Sequence, residues 1–223
     1  MREGEAFLEP LRAVEGLVVD WIDRVPGVPV EGERDEVLGR LRPAHATRVG
    51  EVFGRDRWWR AEQVHGCGVA LVPGAELQPA GDGLPVVPGV DGLITGRPGE
   101  VLGIYVADCG AIWLADRRTG AIALLHSGRK GTEMGILGVA VERMRESFGS
   151  RPEDLVGVLG PCIRPPHYEV DFAAEIVRQA REAGVGEFHD CGLDTASSQR
   201  CYSYRMEKGR TGRMLALMMR AEA

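Results

Sequence analysis

The sequence predicts an α/β fold, a layered sandwich of mixed β-sheets and flanking helices in one domain over residues 1–223. Short apolar runs of strand length mix with amphipathic helical segments, without the strict strand–helix alternation of a parallel sheet. The chain has 223 residues, enough for one sizeable core, and no linker-like stretch divides it. Its 44% hydrophobic and 27% charged residues are typical of globular proteins.

Strands are predicted where short apolar runs lie between glycine, proline or polar residues. They are Leu17–Ile22, residues 68–73, residues 89–95, two strands flanking Cys109, a third ending at His126, and Leu155–Leu159. Helices are predicted over residues 33–53, 132–148 and 171–183, where apolar residues recur every three or four positions. Pro43 is expected to bend or break the first helix, and His45 is expected at its surface. Residues 202–204 and 214–219 are predicted to form a C-terminal hairpin.

Composition excludes several classes of function. The net charge of -6 argues against general nucleic-acid binding. The start, MREGEAFLEP, shows no signal-peptide pattern, and no apolar run has the length of a membrane span. Five cysteines at irregular spacing suit a reducing compartment better than a disulfide framework. We therefore expect a cytoplasmic protein that binds neither nucleic acid nor membrane; the sequence gives no expectation for its oligomeric state.

The side chains best suited to catalysis or metal binding are one thiol and two imidazoles. Cys109 and His126 lie in or at the end of buried apolar strands, and His65 has similar surroundings. Catalytic zinc typically has three nitrogen, sulfur or oxygen ligands from the protein and one open position. The three residues match that donor set. Spacing alone leaves two alternatives open, a nucleophile–base pair and buried residues with a purely structural role.

Charged residues accompany this candidate centre. Asp108 places a carboxylate beside Cys109 in an apolar setting, which is costly without a partner. It is a candidate proton carrier, a residue that orients the site, or a structural hydrogen-bond acceptor. His126 is followed by the segment Ser-Gly-Arg-Lys-Gly, in which Arg129 and Lys130 can hold an anion such as phosphate. A solvated loop is the alternative.

Six motifs occur in an order typical of one family. They are QVHG at 63–66, DGLIT at 91–95, ADC at 107–109, HSGRKG at 126–131, GPCI with YEV at 160–170, and SYR with TGR at 203–213. The chain resembles the polyphenol oxidase family, whose members are also labelled laccase-like or multicopper oxidases. They are better described as zinc-dependent purine nucleoside phosphorylases with adenosine deaminase side activity. The resemblance covers the chain from about Leu17 to the C-terminus.

The resemblance implies a zinc site at His65, Cys109 and His126, with Asp108 beside it. It implies phosphorolysis of adenosine, inosine, guanosine or methylthioadenosine to base and ribose-1-phosphate, so that purine nucleoside and phosphate are the expected partners. It also implies a fold related to that of toxin-type cysteine hydrolases, which use a Cys–His pair.

Contacts to substrate or phosphate are carried over from the family's motifs to Arg24, Gln63, Arg129 and Lys130. The resemblance is a divergent one, because the family usually has HAGWRG where this sequence has HSGRKG. Lysine in place of arginine keeps the charge but loses the fork that binds phosphate through two hydrogen bonds. Two other functions therefore stay open: a metal-free cysteine hydrolase using Cys109 and His126, and a non-catalytic metal-binding homologue.

Copper oxidation can be weighed from the histidine count. A laccase-type enzyme with a mononuclear site and a trinuclear cluster needs roughly ten histidines, since imidazole is the favoured copper ligand. This chain has five, His45, His65, His126, His167 and His189. Multicopper oxidation is therefore not expected.

Overall fold

The computed structural model describes residues 5–81 and 83–222, and residues 1–4, 82 and 223 lie outside the described part of the chain. In the described part, the helices are α1 (Glu9–Arg12), α2 (Arg34–Phe53), α3 (Arg129–Glu133), α4 (Ile136–Phe148) and α5 (Phe172–Glu182). The strands are β1 (Leu17–Ile22), β2 (Trp59–Arg60), β3 (Val69–Leu71), β4 (Gly92–Thr95), β5 (Leu102–Val106), β6 (Gly110–Asp116), β7 (Ile122–Ser127), β8 (Leu155–Leu159), β9 (Glu187–Asp190) and β10 (Met214–Arg220).

Over residues 5–81 and 83–222, these strands form two mixed sheets. The 4-stranded sheet has the order β1-β10-β5-β2, and the 6-stranded sheet has the order β3-β4-β7-β6-β8-β9. The pairs β2–β5, β3–β4 and β8–β9 are parallel, whereas the other neighbours are antiparallel. The predicted α/β class with mixed sheets is confirmed.

The sheets pack face to face, and helices α2, α4 and α5 cover their outer faces. Side chains alternate along a strand, so Met214 and Met218 of β10 lie between the sheets while Leu215 packs towards α2. Trp113 of β6 fills the same inner core, and its indole N–H donates to the carbonyl of Leu217 at 3.1 Å. On the opposite side, α4 and α5 pack on the larger sheet. The order of layers is helix, sheet, sheet, helix.

Helix α2 differs from its prediction in two respects. Pro43 does not divide it: the residue is exposed, and the helix runs on through it. The expected surface position of His45 was wrong, because its side chain is 0% exposed. Leu41, His45 and Val49 recur at a spacing of four, which places them on one face of the helix against the smaller sheet.

The predicted C-terminal hairpin was wrong. Strand β10 pairs with β1 on one side and with β5 on the other. Tyr202 belongs to no strand, and the backbone N–H of Val25 donates to its hydroxyl at 3.1 Å. A central position buries both faces of β10, which explains its nearly continuous run of apolar residues.

One helix was predicted over residues 132–148, but the structure has two: α3, which begins earlier at Arg129, and α4, which begins at Ile136. Gly135 has a φ of 72°, a left-handed conformation that glycine adopts readily and that separates the two. The short first helix carries Arg129 and Lys130, and it packs against β7 and α5.

Candidate metal centre

The structure brings His65, Cys109 and His126 together at one end of the sandwich. His65 lies in the loop before β3, Cys109 directly precedes β6, and His126 lies in β7. One nitrogen of each imidazole and the thiol sulfur all lie within 4.8 Å of one another. The two imidazole rings are nearly perpendicular, at 81°, with centroids 4.9 Å apart. The cluster can therefore hold a metal ion.

Strand register places Cys109 beside His126. In the antiparallel pair β6–β7, Ala111 lies opposite His126 and Gly110 lies opposite Ser127. Gly128 leaves the space that the thiol fills, since a Cβ at that position would lie 2.5 Å from the Cys109 sulfur. The first glycine of the HSGRKG motif, Gly128, is thus needed to leave room for the Cys109 thiol.

Asp91 fixes both histidines, although sequence reasoning assigned it no role. Its Oδ1 lies 2.8 Å from Nδ1 of His126 and accepts the backbone N–H of His65 at 2.9 Å. Its Oδ2 accepts the backbone N–H groups of Gly66 and Val64. Burial raises the pKa of Asp91, but hydrogen bonds from His126 and Gly66 outweigh it, so the net shift is downward. An ionised Asp91 accepts a hydrogen bond from the Nδ1–H group of His126, which leaves Nε2 of that ring available to a metal.

Backbone strain is concentrated around the centre. Of the four described non-glycine residues with a positive φ, three lie here: His65, Gln63 and Asp108, at 62°, 65° and 79°; the fourth is Lys208. Each such conformation costs on the order of 1–3 kcal/mol and persists only where the surroundings enforce it. Asp91 supplies that constraint for His65.

Electrostatics favour the thiolate of Cys109. Burial opposes ionisation, but the positive charge and hydrogen bond of His126, with a hydrogen bond from His65, lower the pKa of Cys109 to about 6. Burial also opposes the charged form of His126, yet Cys109 and Asp91 raise its pKa to about 9. Without metal, these interactions favour a thiolate on Cys109 beside an imidazolium on His126. The thiolate is the form that binds metal or acts as a nucleophile.

Asp108 lines the same cavity as the centre but is bound by protein on both oxygens. Its Oδ1 accepts the hydroxyl of Thr195 at 2.7 Å, and its Oδ2 accepts the backbone N–H of Arg205 at 2.7 Å. The carboxylate thus ties two loops to the residue preceding Cys109. Of the three candidate roles of Asp108, these contacts favour the structural hydrogen-bond acceptor.

Gln63 and Arg24 make protein contacts instead of reaching into open space. The side-chain amide of Gln63 pairs with the backbone of Tyr105, donating to its carbonyl at 2.5 Å and accepting its N–H at 3.0 Å. Arg24 forms an ion pair with Glu207 at 2.8 Å and stacks over the Tyr202 ring at 4.4 Å. Gln63 borders the cavity, whereas Arg24 does not.

A cavity of about 820 Å³ is lined in part by His65, Cys109 and His126. Part of its wall is aromatic, formed by Tyr105, Tyr168, Phe172 and Tyr204. The cavity has room for a nucleoside-sized ligand, and its mixture of aromatic and polar groups is typical of small-molecule sites.

Cations form the other part of the wall. They are Arg34, Arg129, Lys130, Arg205 and Arg213. Arg129 and Lys130 were singled out from the sequence; Arg205 and Arg213 were not. The signal for these two was the pair of motifs SYR and TGR, each of which ends in arginine.

The donor set fits a catalytic metal. Two imidazole nitrogens and one thiolate are ligands that zinc prefers, and the cavity leaves a side of the cluster accessible. Asp91 provides the carboxylate–histidine contact that commonly orients a metal-binding imidazole.

Comparison with known proteins decides the family. The model of the family described as multi-copper polyphenol oxidoreductase laccase matches residues 40–176 and 170–221. The chain belongs to this family. Although the family's description mentions copper, this member has five histidines, fewer than a multicopper oxidase needs.

Relatives in the family are named as nucleoside enzymes. The chain is 30% identical over 232 residues to the purine nucleoside phosphorylase YlmD of Geobacillus stearothermophilus, covering 88% of this chain and 83% of that protein. It is 33% identical over 195 residues to a purine nucleoside phosphorylase of Deinococcus radiodurans, covering 74% and 71%.

Solved structures show the same fold. The crystal structure of YlmD from Geobacillus stearothermophilus matches with a TM-score of 0.78 at 26% identity, covering 94% of this chain and 93% of that one. The hypothetical protein YfiH of Bacillus licheniformis matches with a TM-score of 0.73 at 21% identity, covering 91% and 92%. Among the described residues, no helix combines the length and apolar character needed to cross a membrane.

Proposed function

We propose that this protein is a zinc-dependent purine nucleoside phosphorylase. The observation that carries the proposal is the His65–Cys109–His126 cluster, which lines a cavity that also has aromatic and cationic walls. A purine needs a flat apolar surface, and phosphate needs positive charge. The names of the relatives from Geobacillus stearothermophilus and Deinococcus radiodurans support the same reaction.

The two substrates have separate requirements. Tyr168 and Tyr204 offer ring faces for the purine, and Lys130 and Arg129 attract phosphate to the cavity that they line. In phosphorolysis, a phosphate oxygen forms a bond to C1′ as the bond from C1′ to the base breaks, and the base leaves with that electron pair. Holding both substrates in one cavity supplies orientation, and the fixed cations stabilise the phosphate.

Zinc would be held by His65, Cys109 and His126, and when bound it supplies Lewis acidity and lowers the pKa of a coordinated water. Asp91 orients His126, and Asp108 positions the loops around Cys109 through Thr195 and Arg205. Gln63 secures the edge of the cavity by pairing with Tyr105. Arg24 has no part in the proposal, because its charge is neutralised by Glu207 outside the cavity.

Adenosine deamination is a second activity that the same centre supports. Attack of an activated water on C6 of adenine releases ammonia and requires no phosphate. The two activities can thus be separated by their products: free base and ribose-1-phosphate in one case, inosine and ammonia in the other.

A metal-free cysteine hydrolase is the rival function. The low pKa of Cys109, about 6, and its proximity to His126 give a nucleophile and a base. Such an enzyme would keep its activity after removal of metal, whereas the proposed phosphorylase would lose it.

We also place the reaction in the cytoplasm. All five cysteines, Cys67, Cys109, Cys162, Cys191 and Cys201, are free thiols. A reducing compartment keeps them so. Export to an oxidising compartment would expose Cys109 to oxidation and remove a ligand of the proposed centre.

The deciding experiment follows the release of purine base from adenosine, inosine, guanosine and methylthioadenosine, with and without phosphate. The protein is assayed with bound metal and after chelation, and Cys109→Ala is the matched control. Base release that requires both phosphate and metal, and that Cys109→Ala abolishes, supports the proposal. No consumption of any nucleoside, or a rate equal to that of Cys109→Ala, would refute it and favour a non-catalytic metal-binding protein.

A further inference from the structure

The cations of the cavity differ in how far their charge is neutralised. Arg129 pairs with Glu133 at 2.8 Å and Arg205 pairs with Glu169 at 2.9 Å, and the side chains of both arginines are 48% exposed. Lys130 is exposed to solvent on α3. Arg213 is half-buried, and no carboxylate among the described residues forms an ion pair with it. Arg213 therefore differs from Arg129 and Arg205, whose charges are paired with carboxylates.

The guanidinium of Arg213 is held by one end only. Its Nη1 donates to the carbonyls of Thr211 and Gly212 at 3.0 and 2.8 Å. The other two guanidinium nitrogens, Nε and Nη2, have no acceptor in the described part of the chain. This leaves one edge of the guanidinium, with two donors, beside the cavity that Arg213 lines.

The backbone beneath Arg213 is fixed by aromatic packing. A Cβ on Gly212 would lie 2.4 Å from the ring of Tyr202, so only glycine fits there. The ring of Tyr204 lies 5.9 Å from the guanidinium carbon of Arg213, within reach of a cation–π contact. The TGR segment is thus built to hold an arginine in one place.

A second cation lies close by. Arg34, at the start of α2, lines the same cavity and donates to the backbone carbonyl of Glu62 at 3.2 Å. Burial and the neighbouring charge of Arg34 both lower the pKa of Arg213. Two like charges beside one partly buried cavity repel each other, and a bound anion relieves that repulsion.

The negative groups nearest to Arg213 are engaged elsewhere. Asp108 and Cys109 act on it electrostatically. However, both oxygens of Asp108 accept hydrogen bonds from Thr195 and Arg205, and the Cys109 sulfur belongs to the ligand cluster. An external anion that reached Arg213 would also lie next to the proposed metal centre.

We propose that Arg213 and Arg34 form an oxyanion subsite that binds a phosphate group. A guanidinium edge with two N–H donors matches two phosphate oxygens. The subsite rests on the proposed function only for the identity of the anion. Its phosphate can come from inorganic phosphate as co-substrate or from a nucleoside 5′-monophosphate.

Calorimetric titration of the metal-loaded protein with inorganic phosphate tests the subsite directly. Arg213→Met should weaken phosphate binding by about tenfold or more, since it removes two charged hydrogen-bond donors from the phosphate. Arg213→Lys should fall between wild type and Arg213→Met, because lysine keeps the charge without the fork. The matched control is Arg205→Met, a cavity cation already paired with Glu169, which should stay within about twofold of wild type.

Equal loss of affinity in Arg205→Met and Arg213→Met would overturn the subsite, because a general field of positive charge would then explain binding. Unchanged affinity in Arg213→Met would do so as well. If Arg213→Met does not fold, as judged by circular dichroism, Arg34→Met replaces it with the same expected direction.

Competition with adenosine 5′-monophosphate distinguishes the two sources of phosphate. Displacement of inorganic phosphate that depends on Arg213 indicates a nucleotide ligand. The nucleotide can instead bind no more tightly than adenosine while the binding of inorganic phosphate depends on Arg213. In that case the natural ligand of the subsite is inorganic phosphate, the co-substrate. If neither ligand depends on Arg213, the subsite is refuted. If phosphate binding is intact but no phosphorolysis occurs, the proposed function is refuted and the subsite is not.

Discussion

His126 and Asp91 are joined twice. Nδ1 of His126 lies 2.8 Å from Oδ1 of Asp91, and the backbone N–H of His126 donates to the Asp91 carbonyl at 2.7 Å. Because β4 and β7 pair directly, one residue fixes both the main chain and the ring of a proposed metal ligand. The same carboxylate holds the His65 loop, so two of the three ligands depend on it.

Replacing Asp91 should therefore weaken metal binding without removing a ligand. Asp91→Asn removes the charge that orients His126 and leaves one oxygen to accept several backbone N–H groups. We expect the metal affinity to fall by about 10–100-fold. Competition with a chromogenic chelator measures it, and Glu133→Gln, at the exposed rim of the cavity, is the control. Equal affinity in Asp91→Asn and wild type would contradict this role of Asp91.

Gly128 offers a steric test. A methyl group there would lie 2.5 Å from the Cys109 sulfur, so Gly128→Ala must displace the thiol. Metal affinity should fall by about tenfold or more. The matched control is Gly138→Ala in α4, where a Cβ meets nothing within 4 Å and the helix should gain about 0.5–1 kcal/mol. Metal titration and urea unfolding of both variants give the comparison; a Gly128→Ala protein that binds metal normally would exclude the proposed crowding.

The thiols should differ in their reactivity. The neighbouring His126 charge lowers the pKa of Cys109 to about 6 against the effect of burial, whereas burial raises the pKa of Cys191 to about 11. In metal-free protein at pH 7, iodoacetamide should therefore modify Cys109 first, and bound metal should protect it. Peptide mass spectrometry over a time course resolves the order. Faster modification of Cys191, or no protection by metal, would count against the assignment.

His45 should make stability depend on pH. Burial lowers its pKa to about 4 from the usual 6.5, so the unfolded chain binds a proton that the folded protein does not. The contribution is complete above about pH 6.5 and is lost as the pH falls towards 4, by up to roughly 3 kcal/mol. The difference between wild type and His45→Leu in the free energy of unfolding should thus change between pH 7.5 and pH 5, as measured by urea unfolding. A constant difference would show that His45 does not titrate in this range.

Short sequence patterns predicted most of the strands and helices and the motifs that carry the candidate site. The apolar strands around Cys109 and the motifs containing His65 and His126 pointed to three residues that the structure does bring together, and their assignment as metal ligands stays a prediction. The surface placement of His45 failed because the spacing of four with Leu41 and Val49 was not followed through to the histidine.

Short sequence patterns could not predict which strands pair when the strands lie far apart in the chain. The position of β10 between β1 and β5 depends on segments far apart in the chain, so it resembled a terminal hairpin. Asp91 appeared only as a letter of the DGLIT motif, since its role depends on the pairing of β4 with β7. Arg213 was likewise a motif residue until Arg34 and the cavity gave it a context.

The central claim is that His65, Cys109 and His126 together bind one metal ion. Elemental analysis of protein purified without added metal tests it most directly. We predict about one zinc per chain in wild type and almost none in His65→Ala, as a three-ligand site requires. Wild-type protein without metal, or His65→Ala protein with an unchanged metal content, would contradict the account.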